Sequence, residues 1–176
     1  MVLCGMFAAL VAIGAFIQIP VPYMDYFTLQ FFFVLLAGLI LGADKGAISV
    51  GCYVLLGLVG VPIFAAGGGI GYIFRPSFGY LVGFIVSAYV TGKVCEKLKA
   101  SYKNYLLACL AGFVVTYAIG IVYKFIILNF YAHTPATLGV IFLSCFPLDM
   151  PGDFVLCLLA AGVGLRMPKS GFYLSE

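Results

Sequence analysis

Asp149 and Asp153 stand four residues apart in "FPLDMPGDF", Arg75 follows the four glycines of "AAGGGIGYIFRP", and Lys124, Gln30 and Tyr53 interrupt otherwise apolar runs. With nine Lys and Arg and six Asp and Glu among 176 residues, each such group needs a reason to be there. A carboxylate accepts hydrogen bonds from N–H donors, and a guanidinium fork matches a carboxylate better than the point charge of a lysine does. The chemistry on offer is recognition: an acceptor for N–H groups and a cation for an acid. Covalent chemistry, a metal and a cofactor are not expected. No nucleophile stands with a base, the six cysteines are scattered singly with one histidine in the chain, and neither G-x-x-x-x-G-K-[ST] nor G-x-G-x-x-G occurs.

Each of these groups also has a plainer role open to it. Asp153 suits the N-terminal cap of a helix, and Arg75 suits a headgroup anchor at a membrane interface. Gln30 and Tyr53 can hydrogen-bond a neighbouring helix, and Lys124 can snorkel to the interface. Asp149, further into its loop, suits contact with water, as does His133 in "YAHTP". Against the plain reading of Asp153 stands the cost of an ionisable group at membrane depth, about 2.5–3.5 kcal/mol, which favours a cavity or a partner. As a pair of catalytic acids Asp149 and Asp153 are disfavoured, since Pro151 and Gly152 lie between them and a shared helical face is not assured.

The elements that position these residues are membrane helices. The chain is 65% hydrophobic and 9% charged, against about 45–50% and about 25% in soluble domains, so an all-α integral membrane protein is expected. Apolar segments run over Val2–Ile19, Phe27–Leu41, Ala47–Val61, Phe78–Thr91, Tyr105–Phe130 and Asp153–Leu165. They predict a bundle of six transmembrane helices in one domain, residues 1–176. Several fall short of the ~20 residues that cross a bilayer, which suggests a water-filled pocket beside them. The first segment has no basic residue ahead of it and is read as mature structure, not as a signal peptide. Lys45, Lys93, Lys97, Lys99, Lys103, Arg166 and Lys169 fall on one side, so both termini are expected in the cytoplasm of a multi-pass cell-membrane protein. Asp25, Arg75, Asp149 and Asp153 then gather outside, where the pocket is expected to open. The net charge of +3 gives no reason to expect nucleic acid.

The stretch from Val61 to Pro76 is a long connection for adjacent helices, and its glycines suit a flexible lid over that outer mouth. In the first helix Gly5, Ala8, Ala12 and Ala15 line one face, where they fit either a docking seam or packing within the chain. Gly38 with Gly42, and Gly79 with Gly83, fit internal packing.

"IPVPYMDYFTLQFFFVLLAGLILG", "YVLLGLVGVPIFAAGGGIGYIFRPSFGYLVGF" and "FPLDMPGDF" together resemble the biotin-specific S components of energy-coupling factor (ECF) transporters, the BioY family, over nearly the whole chain. The resemblance implies a six-helix subunit that binds biotin from outside. It implies as partners, besides the lipid bilayer, a transmembrane coupling protein and two cytoplasmic ATPases. The family's docking motif on the first helix matches Ala8 and Ala12, and its aspartate at the head of the last helix matches Asp153. A lysine common three residues later is Leu156 here, a polar residue of the glycine loop falls near Gly67, and an arginine after "GGY" falls at Leu81. Arg75 or Lys124 is expected to replace the missing cation. The expected ligand contacts are Asp153 for the ureido N–H groups, Arg75 or Lys124 for the carboxylate, and Tyr53, Phe74 and Tyr80 around the fused thioether ring. Gly68, Gly69 and Gln30 complete the set. A different small vitamin, or a stand-alone carrier or channel, is the alternative.

Overall fold

A backbone withdrawn from water must hydrogen-bond to itself, so long apolar runs ended by glycine, proline or charge become helices. The computed structural model describes residues 1–19, 27–132, 136–145 and 149–167; Asp25, His133 and Lys169 lie outside the described residues. Helix α1 (Val2–Phe16) is followed by the two-residue strands β1 (Gln18–Ile19) and β2 (Phe27–Thr28), paired antiparallel with Gln18 opposite Thr28. Helices α2 (Gln30–Leu41), α3 (Ala43–Val59), α4 (Phe78–Lys97) and α5 (Tyr102–Ile126) follow, α5 running on into a π-helical turn at Ile127–Tyr131. Two further helices, α6 (Leu138–Cys145) and α7 (Asp149–Arg166), complete the described chain.

The bundle is all-α, as the composition predicts, but its helices are unequal. Helix α4 and the 30-residue run Tyr102–Tyr131 are long and apolar enough to cross a membrane alone. The pair α6 and α7, bent by 52°, makes a third candidate span. Helices α1 and α2 are apolar but have 15 and 12 residues, below the ~20 that span hydrocarbon. Against the expected six full spans, two to three stand among the described residues by length and composition. Each of the six predicted segments nonetheless contains a helix, and the additional α6 comes from a mostly apolar stretch, "LGVIFLSC", too short to register beside the prolines that flank it.

Helices α4 and α5 form the most extensive contact, α2 packs on α3, α4 and α7, and α1 lies across α2 and α3. Glycines let α4 and α5 close up. Tyr123 of α5 sits where a Cβ at Gly79 would project, the Thr116 backbone lies over Gly83, and the Tyr80 ring of α4 lies over Gly120. Gly38 of α2 meets the Ala88 carbonyl of α4 in the same way, so the internal-packing role expected for Gly38, Gly79 and Gly83 holds. On α1, Ala8 is 8% exposed and belongs to the chain's own core, and Ala15 is fully buried. Ala12 is half-buried, whereas Met6, Ala9, Ile13 and Phe16 face outward. Ala8 lies on the face of α1 that closes against α2 and α3.

Lys45 at the start of α3, Lys93 and Lys97 at the end of α4, Lys103 at the start of α5 and Arg166 at the end of α7 mark one end of the bundle. At that end the Glu96 carboxylate accepts the Ala43 N–H at 2.8 Å, tying the α2–α3 junction to α4, and pairs with Lys93 at 3.7 Å.

Candidate functional site

At the other end of the bundle the helices surround a cavity with about 100 Å³ open to the centres of water molecules, several times the ~10–15 Å³ that one water needs. Its lining comes from several elements: Phe27, Thr28, Gln30 and Phe31 from β2 and α2, Ala65, Ala66 and Tyr72 from the glycine loop, and Ser77, Tyr80, Leu81 and Phe84 at the start of α4. Tyr117 and Lys124 from α5 and Asp149 and Asp153 from α7 complete it.

Helix α7 begins at Asp149 and stays helical through Pro151 and Gly152. Pro151 falls in the first turn, where its missing N–H has no intrahelical acceptor to lose. Asp149 and Asp153 consequently share a face and both reach the cavity. Gly152 matters for a different reason: the Phe27 ring occupies the place of its Cβ, so glycine there lets β2 close on α7. Oδ2 of Asp153 accepts a hydrogen bond from the Tyr117 hydroxyl at 2.8 Å. Tyr117 is 5% exposed and its ring is met edge-on by Tyr80 at 5.8 Å and at a tilt by Phe113 at 4.7 Å. Lys124 lies seven residues along α5, two turns and about 10 Å further on the same face. One long wall of the cavity therefore carries the Asp153 carboxylate, held at the level of Tyr117, and an ammonium whose backbone lies two turns beyond Tyr117 on α5.

The opposite wall is an internal network. Gln30, the first residue of α2, is 3% exposed; its Nε2 donates to the Tyr53 hydroxyl at 2.5 Å and its Oε1 accepts from Thr28 at 3.3 Å. Tyr53, fully buried, donates in turn to the Ile63 carbonyl at 3.1 Å, which fastens α2 and α3 to the root of the glycine loop. The loop itself is pinned. Gly60, at φ 118°, ends α3 in the left-handed region that suits glycine. The Phe64 ring fills the place of a Cβ at Gly57, and the Gly69 N–H donates to the Gly57 carbonyl at 2.7 Å. Phe64 also meets Tyr53 edge-to-face (5.5 Å) and packs at a tilt against Tyr72 (4.6 Å).

Of the residues expected to bind ligand, Asp153, Lys124, Tyr80 and Gln30 line the cavity. The others stand elsewhere, each for a visible reason. Gly68 and Gly69 fold the loop back on the end of α3, with Gly68 against the Val61 carbonyl, and Ala65 and Ala66 face the cavity instead. Tyr53 is one layer behind Gln30. Phe74 is half exposed and stacks on Tyr131 at 4.8 Å, so the loop's aromatic contribution to the lining is Tyr72. Arg75 is exposed, its guanidinium 5.4 Å from the Tyr72 ring centroid, and is not among the residues of the lining. Sequence reasoning missed Tyr117, Tyr72, Thr28 and Ser77. For Tyr117 the signal existed: a hydroxyl inside "FVVTYAIG" is as out of place at membrane depth as that of Tyr53.

This arrangement can hold a small, partly apolar molecule with N–H donors at one end and an acid at the other. Among known proteins, the probable biotin transporter BioY of Lysinibacillus sphaericus is 39% identical over 170 residues, covering 96% of this chain and 86% of the relative. The biotin transporter BioY of Thermotoga maritima is 39% identical over 169 residues, 94% of this chain and 93% of the relative. In fold, the chain resembles the crystal structure of the S component for biotin from an ECF-type ABC transporter, with a TM-score of 0.85 over 99% of this chain and 94% of that one, at 24% identity. The family model described as the BioY family matches residues 1–171, from α1 to beyond the end of α7, so the helices that build the cavity all fall within the match, and the chain belongs to the BioY family.

Proposed function

We propose that this chain is the membrane-embedded substrate-binding subunit, the S component, of an ECF-type importer, and that it captures biotin. The observation that carries the reading is that one cavity is lined by both Asp153, held by Tyr117, and Lys124, two turns beyond Tyr117 on α5, with Tyr80, Phe31 and Phe84 lining the space. Biotin has a matching order, with two ureido N–H donors, an apolar fused thioether ring, and a carboxylate on a flexible arm. Asp153 accepts from the ureido, the rings enclose the bicycle, and Lys124 takes the carboxylate. Arg75, outside the lining, serves as a headgroup anchor.

The basic end of the bundle belongs in the cytoplasm by the positive-inside rule, with both termini, so the cavity opens outward. Residues 1–176 act as one binding domain that performs no chemical step. Energy for uptake comes from a transmembrane coupling protein and two cytoplasmic ATPases. A partner docking on α1 meets Met6, Ala9 and Ile13 and only the edge of Ala12.

The test is direct binding to the detergent-purified chain by calorimetry or labelled-ligand filtration; without tryptophan, intrinsic indole quenching offers no signal. Saturable biotin binding at one site per chain is expected. Binding of riboflavin or thiamine in its place, or of none of the three, removes the assignment.

A further inference from the structure

We propose that Tyr117 is a specificity-determining positioning residue: by holding one oxygen of Asp153 it aims the other at an N–H donor of the ligand. The inference rests on the capture of a ureido ligand proposed above. A carboxylate turns easily about its terminal torsion, which is broad and roughly two-fold, and an acid with no fixed donor presents its oxygens in many directions. Here Oδ2 is committed to the Tyr117 hydroxyl at 2.8 Å, and among the described residues no cation pairs with Asp153. Leu156, one turn on in α7, is buried and offers no charge. The phenol is therefore the group that fixes the acid.

Tyr117 can do so because its own ring has little freedom. Tyr80 meets it edge-on, Phe113 packs at 4.7 Å, and Tyr80 is itself tied to Cys145 of α6 by a 3.1 Å contact between hydroxyl and sulfur. With Oδ2 occupied, Oδ1 is left to accept from the ligand, and it does so in one direction. The consequence is selectivity for ligands whose N–H group arrives along that direction. A ligand that puts a methyl group there meets a carboxylate that cannot turn aside.

The experiment compares biotin with its N-methyl ureido analogue on the wild type, Tyr117→Phe, Asp153→Asn and the double variant, with melting points recorded for each. In the wild type the analogue is expected to bind about tenfold more weakly than biotin. Tyr117→Phe keeps the ring contacts and should weaken biotin by about tenfold while weakening the analogue by less than about twofold. In the Asp153→Asn background the Tyr117 effect on biotin should vanish, a non-additivity that a merely structural ring would not produce. Equal loss for both ligands, additive effects in the double variant, or a wild type that binds both ligands alike overturns the proposal while leaving biotin capture standing. The last of these needs no variant and holds even if Tyr117→Phe does not fold. A wild type that binds no biotin overturns both readings.

Discussion

The two long walls of the cavity use their polar groups in opposite ways. On the loop wall, Gln30, Tyr53 and the Ile63 carbonyl satisfy one another, and the glycine loop is closed by backbone bonds and by a ring set against Gly57. On the α5–α7 wall, Asp153 is half-buried with Tyr117 as its donor, and Lys124 is half-buried two turns away. The first wall turns its polarity inward and presents the cavity with a fixed shape. The second keeps charge and hydrogen-bonding capacity facing the space, where a ligand can use them. Burial sets the sign of the difference: a polar group costs about 1–3 kcal/mol when buried unsatisfied, so those that pair internally stiffen the fold, and those left at a surface are available for recognition.

Substitutions on the two walls should accordingly separate affinity from stability. The largest effect is expected from Asp153→Asn, which replaces an acceptor facing the ligand's N–H groups by an amide; biotin affinity should fall about a hundredfold, or about 2.7 kcal/mol, in calorimetric titration. Retained affinity would mean that the α7 wall does not recognise the ureido. Next comes Tyr53→Phe, which strips Gln30 and the Ile63 carbonyl of a common partner. It should cost about 2 kcal/mol of stability, seen as a lower melting point, while biotin binds within about threefold of wild type; a change in affinity without a change in melting point would merge the two walls into one functional class. Lys124→Met should weaken biotin about tenfold, about 1.4 kcal/mol, and leave biotin methyl ester unaffected. Should the ester lose as much as the acid, the ammonium is not the carboxylate's partner. The smallest effect belongs to Arg75→Ala: exposed and outside the lining, it should alter biotin affinity by less than about twofold. A tenfold loss there would move the cation of the site from α5 to the loop.

The fold was more legible than the site. Apolar runs bounded by Gly60, Pro76 and the lysines near residue 100 mark α3, α4 and α5, because a membrane helix announces itself by hydropathy and its ends by what breaks it. Helix α6 escaped, since eight apolar residues between prolines carry too little periodicity to distinguish from a loop. In the site, Asp153, Lys124 and Gln30 were found because a polar atom in an apolar run needs a destination, and Tyr80 as a ring for the apolar part of the ligand that the resemblance implies. Direction was what sequence could not supply. Tyr72 and Phe74 are two residues apart in one short 3-10 turn, yet one lines the cavity and the other stacks outward on Tyr131. Arg75 carried the expected charge but follows that outward turn. Gly68 and Gly69 suggested a hinge, whereas their backbone bonds and contacts with α3 make the loop's root a tight fold; close approach and mobility ask for the same residue type.

The seat of Phe64 on Gly57 joins residues seven apart, and the lining from Phe27 to Phe84 comes from one continuous half of the sequence. Chains are synthesised from the N-terminus, and near neighbours meet sooner than distant ones. Most of the vestibule's lining is thus synthesised before Lys124 or Asp153, and the polar groups proposed to read the cargo are the last to arrive.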